Sequence, residues 1–140
     1  MNRTLKKIGV TWEYDIPNLE DSNPIQLQSY ELYNSKDIDA FSLEDIRFMI
    51  GQELGIVYLL PKAFEYLEKD IFLEVSYYEG DLLSVVLKLP SKFWKNNPVE
   101  RDKVLNLLRL NQDRIESLDL QYDDIRTLKK TINQFLEEYR

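Results

Sequence analysis

Three of the four glycines in this chain fall between Ser42 and Leu83, and two of them, Gly51 and Gly55, stand four residues apart. On a helix that spacing puts both on one face and lets a neighbouring backbone approach closely, at about 1 kcal/mol per glycine relative to alanine. Such a cost points to a specified helix contact at Gly51 and Gly55, with Phe48 on the same face. Gly80, between Tyr77-Tyr78-Glu79 and Asp81-Leu82-Leu83, reads as a sharp turn.

Caps and apolar periods around these glycines predict a mostly helical chain. Asn23 and Pro24 supply an N-cap and first helical residue for a short helix through about Tyr33. Ser42 and Asp45 form a capping-box variant ahead of the stripe Leu43, Ile46, Ile50 and Leu54. Pro61 predicts a break or kink near Leu60, with a fresh helix carrying Ala63, Phe64 and Leu67 to about Asp70. Leu82 to Leu89 is apolar nearly all round and stops at Pro90, which suits a short buried helix capped by Asp81 or an interior strand. Ser91 to Asn97 reads as one turn presenting Phe93 and Trp94. Asn97, Pro98 and Glu100 then open a long helix with the stripe Val104, Leu107, Leu108, Ile115 and Leu118, interrupted by Asn111, which fits a partly exposed or hydrogen-bonded interior amide better than a ligand-binding group. The last helix starts at Asp123 and Asp124, favourable at a positive helix end, and carries Ile125, Leu128, Ile132, Phe135, Leu136 and Tyr139.

Two segments read as extended. Ile8, Val10, Trp12, Tyr14 and Ile16 alternate with polar residues up to Pro17, and Ile71 to Tyr78 is rich in β-branched and aromatic residues, so the two could pair. The fold class is therefore mostly α, a compact helical bundle with room for a short N-terminal strand or hairpin. At 140 residues without an internal repeat or linker, the expectation is one domain over 1–140.

Composition excludes several chemistries. With no cysteine and no histidine, disulfides, thiol nucleophiles, imidazole bases and zinc sites with sulfur or imidazole ligands are unavailable. No glycine-rich phosphate loop or nucleophile elbow is present. No apolar run approaches a membrane span and the first residues do not resemble a signal peptide, so the expected location is cytoplasmic, with no membrane partner. A net charge of −7 disfavours direct nucleic-acid binding and either suits a basic protein partner or serves colloidal solubility alone.

Acidic pairs are the remaining chemistry. They can run glycoside hydrolysis or hold magnesium only if separate elements bring them together in a cleft. Asp45, Asp81 and Asp123 already have helix-end explanations, so neither catalytic residues, a metal nor any cofactor is expected. Tyr77 and Tyr78, next to Glu79 and Asp81, fit either an interface, where tyrosine gives large contact area at low entropic cost, or a core ring covered by its neighbour.

The ordered combination Phe41-Ser42-Leu43-Glu44-Asp45-Ile46-Arg47, Ile50-Gly51-Gln52, Gly55-Ile56 and Tyr58-Leu59-Leu60-Pro61-Lys62-Ala63 resembles the central motif of the immunity proteins of bacterial contact-dependent growth inhibition systems. Tyr77-Tyr78-Glu79-Gly80-Asp81-Leu82-Leu83, then Leu89-Pro90 and Phe93-Trp94, is similar to the motif that follows it, so the resemblance covers about residues 41–98. It departs from the family pattern at Glu79, where proline is common, and over Asp70 to Ser76. The resemblance implies a cytoplasmic protein, monomer or weak dimer, that binds and neutralises the toxic C-terminal domain of a cognate exoprotein without catalysis. It also implies that Ser42, Asp45, Gly51, Gly55, Pro61, Gly80 and Trp94 build the scaffold. Exposure and charge then nominate a toxin-reading surface from Glu13, Asp15, Glu20 and Asp21, from Tyr77, Tyr78, Glu79 and Asp81, and from Asp119, Asp123 and Asp124. The alternatives are a small acidic adaptor or regulator binding a basic host protein and, further off, a carboxylate-dependent enzyme.

Overall fold

A computed structural model describes residues 3–14, 17 and 23–140. Asp15, Ile16, Glu20 and Asp21 lie outside the described residues. The described chain is helical: α1 (Pro24–Ser35), a 3-10 turn (Ile38–Ala40), α2 (Leu43–Gly51), α3 (Ile56–Lys69), α4 (Asp81–Leu87), α5 (Ser91–Asn96), α6 (Pro98–Leu110), α7 (Gln112–Glu116) and α8 (Asp123–Tyr139). The short apolar α4 forms the centre, packed against α2, α3 and α8, while α1 rests on α2, and α6 on α5, α7 and α8. Leu82, Leu83, Val86 and Leu87 of α4 are all buried, which settles the run after Gly80 as a helix.

Several boundaries follow the capping chemistry. The Asn23 side chain accepts from the Gln26 amide at 2.8 Å and Pro24 opens α1. At α2 the Asp45 amide donates to Ser42 Oγ at 3.1 Å while the Ser42 amide donates to Asp45 Oδ2 at 3.0 Å, a complete capping box. In α8, Ile125, Leu128, Ile132 and Phe135 are buried along one stripe, as their spacing requires.

Over its described residues, neither segment expected to be extended is a strand. Among the described residues the only β pairing is an isolated bridge between Thr4 and Asp37. Ile8, Val10 and Trp12 do turn one side toward the core, but the amides of Ile8, Gly9 and Val10 donate back to the carbonyls of Thr4, Lys6 and Leu5, which curls the segment and leaves no free ladder. Trp12 packs on Tyr30 and Tyr33 of α1, with ring centroids 5.0 and 5.2 Å away, and Tyr33 Oη donates to the Val10 carbonyl at 2.7 Å. In 71–78 the amides of Phe72, Val75, Ser76 and Tyr77 are likewise spent elsewhere, on the side-chain carboxylates described below, and that of Leu73 on the Asp70 carbonyl.

The glycine reading is also corrected. Gly51 ends α2, is exposed, and would place a Cβ 3.7 Å from Val85 Cγ1, an ordinary contact. Gly55 is not on that helix: it precedes α3 in the left-handed region at φ +68°, where a Cβ would approach Leu5 Cδ2 to 2.8 Å. The close approach in this motif is thus that of the N-terminal Leu5 to a turn, and no helix crosses a Gly51–Gly55 face. The stripe of α2 is Ile46, Met49 and Ile50, with Leu54 buried in the turn beyond.

Pro61 does not end its helix. It lies on the exposed side within α3, while Leu59, Leu60, Ala63, Phe64 and Leu67 are buried, so packing holds the helix through the missing amide. The carbonyl deprived of its partner belongs to Val57, itself 67% exposed, where water can serve it. Pro61→Ala should therefore stabilise the protein by about 1–2 kcal/mol, the restored helix bond outweighing the larger entropy of the unfolded chain. A thermal melt that moves down would show that the ring contributes packing beyond its helix cost.

The long helix expected after Asn97 is two. Asn111 has left helical geometry and its Nδ2 donates to the Leu107 carbonyl at 2.8 Å, separating α6 from α7. Asn97, instead of capping α6 with its side chain, donates Nδ2 to the Phe93 carbonyl at 2.8 Å and closes α5. Trp94 is completely buried, with Phe93 and Phe135 edge-on at centroid distances of 5.0 and 5.4 Å.

Candidate partner-binding turn

The connection between α3 and α4 is built around one buried carboxylate. Asp81 is 1% exposed, and its Oδ1 accepts from the Val75 amide at 2.8 Å while Oδ2 accepts from the amides of Ser76 and Tyr77, both at 2.8 Å. It is the first residue of α4 and does not cap that helix, because its side chain turns back to gather the loop before it. Asp70 works at the other end, Oδ1 accepting from the Phe72 amide at 3.1 Å and from Arg114 Nη1 at 3.1 Å. The Gly80 amide donates to the Phe72 carbonyl at 3.0 Å and closes the turn.

Arg47 of α2 completes this arrangement. Its Nε lies 4.0 Å from Asp81 Oδ2 and donates to Ser76 Oγ at 3.3 Å, while the guanidinium carbon sits 4.7 Å from the Tyr77 ring centroid. Burial alone would push the Asp81 carboxyl up, but the amides of Tyr77, Ser76 and Val75 and the Arg47 charge outweigh it and hold the group below the usual carboxylate range. The Arg47 side chain is 14% exposed. The sequence shows Arg47 inside a motif but not its role; its one signal is a lone arginine between Ile46 and Phe48 in α2.

The outcome is an ordered loop that holds an aromatic ring in solvent. Tyr77 is 73% exposed, the Glu79 side chain is exposed beside it, and Tyr78 is half-buried. Asp81 belongs to the frame of this turn and is withdrawn from the surface set. The turn meets α8 at Gly80, where a Cβ would collide with Leu128. Asp123 and Asp124 open α8 as exposed residues, Asp123 pairing with Arg126. Asp119 is exposed just before it and accepts from the Gln121 amide and side chain at 3.2 and 2.9 Å. Glu13, also exposed, lies on the separate N-terminal segment that docks on α1 through Trp12.

Nothing in this arrangement is a cleft with converging carboxylates, and among the described residues no group of three or more acidic side chains is placed to hold a metal ion. No helix among them is long and apolar enough to cross a membrane. The family model for CDI immunity proteins matches residues 14–104, a span that contains the capping box, Arg47, the 70–81 turn and Trp94. No curated protein and no solved structure matches the chain.

Proposed function

This chain belongs to the CDI immunity protein family, and we propose on that footing that it binds and neutralises the toxic C-terminal domain of a cognate contact-dependent growth inhibition exoprotein. It acts in the cytoplasm as a single domain, by forming a protein complex that occludes or traps the toxin, with no turnover and no cofactor of its own.

The observation that carries the choice of surface is the exposed Tyr77 ring on a loop pinned by Asp81 and Arg47. An aromatic side chain held in place before the partner arrives loses little entropy on binding, and such residues dominate interface energetics. The ring lies over a guanidinium, so its orientation is fixed as well as its backbone. Glu79 beside it, and Asp119, Asp123 and Asp124 before and at the start of α8, are exposed acids that would supply the charge. Together with the net charge of −7 this suits a basic toxin domain: complementary charge speeds encounter, and the buried ring sets the rate of dissociation.

The test is binding to the toxin domain of the exoprotein encoded beside this gene, with protection of cells that express it. Tyr77→Ala should raise the dissociation rate about 30-fold, the scale of a central aromatic anchor. Glu79→Lys combined with Asp124→Lys should slow association and lessen its dependence on salt. Unaltered kinetics and protection in both folded variants would remove this surface from the complex.

A further inference from the structure

The acidity of the chain is unevenly placed. Between Leu105 and Arg140, essentially the part beyond the matched family span, seven acidic side chains face six basic ones. On the described surface there, α6, α7 and α8 enclose a groove of about 390 Å³. Its apolar lining comes from Leu105, Leu108, Ile115 and Leu136, and its cations are Arg109, Lys129 and Arg140. Among the described residues none of these three side chains has an ion pair or hydrogen bond, although acidic side chains outnumber basic ones in the chain. The carboxylate in the lining, Glu116, accepts from Gln112 Nε2 at 3.2 Å. A second groove of about 400 Å³ adjoins it along α8, shares Lys129 and Asn133, and adds Lys130 and Arg126 with one carboxylate, Glu137.

We propose that this α6–α8 groove is a docking site for an acidic peptide segment of a partner protein, its aliphatic side chains on the leucine and isoleucine floor and its carboxylates on Arg109, Lys129 and Arg140. Three unpaired cations around an apolar floor are complementary to a ligand that is anionic and aliphatic at once. The length of the strip selects a peptide over a small acid: from Arg126 to Arg140 it follows α8 for about 21 Å at the helical rise of 1.5 Å per residue. A nucleic acid fits less well, because the lining carries no aromatic ring on which a base could stack, and a chain of net charge −7 repels a polyanion beyond the local cations. An amphipathic helix laid in a groove is the recognition mode this geometry matches. The proposal is independent of the Tyr77 surface and of toxin neutralisation.

The probe is a fluorescein-labelled peptide of about twelve residues, leucines at helical spacing and glutamate or aspartate elsewhere, titrated with the full chain and read by polarisation. Micromolar binding is expected, weakened at least about tenfold by Lys129→Glu combined with Arg109→Glu and unchanged by Tyr77→Ala. Circular dichroism of each variant separates lost binding from lost fold, and Lys129→Gln gives a second, milder variant that should weaken binding in the same direction. A peptide with serine in place of leucine should bind at least about tenfold more weakly. No binding, equal affinity in the charge variants, or equal binding of the serine peptide would overturn the proposal. So would displacement of the probe by dodecanoate or by a single-stranded RNA oligonucleotide at lower concentration than unlabelled peptide, which would assign the groove to an anionic amphiphile or to nucleic acid.

Discussion

Asp81→Asn should destabilise the protein by about 3 kcal/mol, among the largest losses available to an isosteric substitution in this chain. The carboxylate accepts on both oxygens, one amide at Oδ1 and two at Oδ2. A carboxamide has one acceptor oxygen, so whichever way it turns, at least one amide of the loop meets an NH2 group at 1% exposure, and Arg47 loses its counter-charge. The pH dependence carries the same signature. The Asp81 carboxyl is held low in the folded state, so the unfolded chain binds its proton more readily. Stability is then full above the ordinary carboxylate value near 3.9 and drains away as pH falls through the lower folded value. Asp45 and Asp37 are also held low, Asp45 by Lys36 and the Ser42 amide against its own burial, Asp37 by the amides of Arg3 and Asp39, and they add to the loss in the same acid window. Chemical denaturation at neutral pH and near pH 3 should therefore show the wild type losing much of its advantage over Asp81→Asn on acidification. A constant difference between the two proteins would mean that the carboxyl binds its proton equally in the folded and unfolded chain and is not held low by the turn.

The sequence displayed this carboxylate but not its role. Asp81 after a glycine reads as a helix cap because caps are local, whereas its actual partners lie four to six residues upstream in a loop whose β-branched and aromatic content mimics a strand. Strand propensity reports what fits a pleated, half-buried surface, and Phe72 and Val75 fit such a surface without any neighbouring strand to pair with. The same limit governs Ile8 to Trp12: their alternation gives the side that faces the core, and only the return of their amides to Thr4, Lys6 and Leu5 shows that no ladder forms. Where the determinant is local and complete, as in Ser42 with Asp45, Asn23 with Pro24, or the α8 stripe, sequence and structure agree. Pro61 differs because burial of Leu60, Ala63 and Phe64 around it supplies more than the proline costs, a balance set by residues distant in sequence.

The glycines give the sharpest contrast in stability. Gly80 has φ +86°, and a Cβ there would drive into Leu128, which is 1% exposed and fixed between α4 and α8. Gly80→Ala should cost about 3 kcal/mol, roughly 1 from the backbone conformation and the rest from the displaced leucine. Gly55→Ala, at φ +68° against the equally buried Leu5 side chain, should cost somewhat less because the new methyl group would overlap Leu5 Cδ2, 2.8 Å away, less deeply than Gly80→Ala would overlap Leu128. Gly51→Ala should be neutral or stabilising by up to about 0.5 kcal/mol, since its alanine would meet only Val85 at 3.7 Å on an exposed helix end. In melting temperature, at roughly 3 °C per kcal/mol for a domain of this size, the three variants separate clearly. The cause at Gly80 can be isolated with a double-mutant cycle. If the loss comes from the collision with Leu128, then Leu128→Ala, costly by itself for the cavity it leaves, makes room for the new methyl group, and the double variant loses less than the two single variants together. Strict additivity would place the whole cost of Gly80→Ala in the left-handed backbone of the turn.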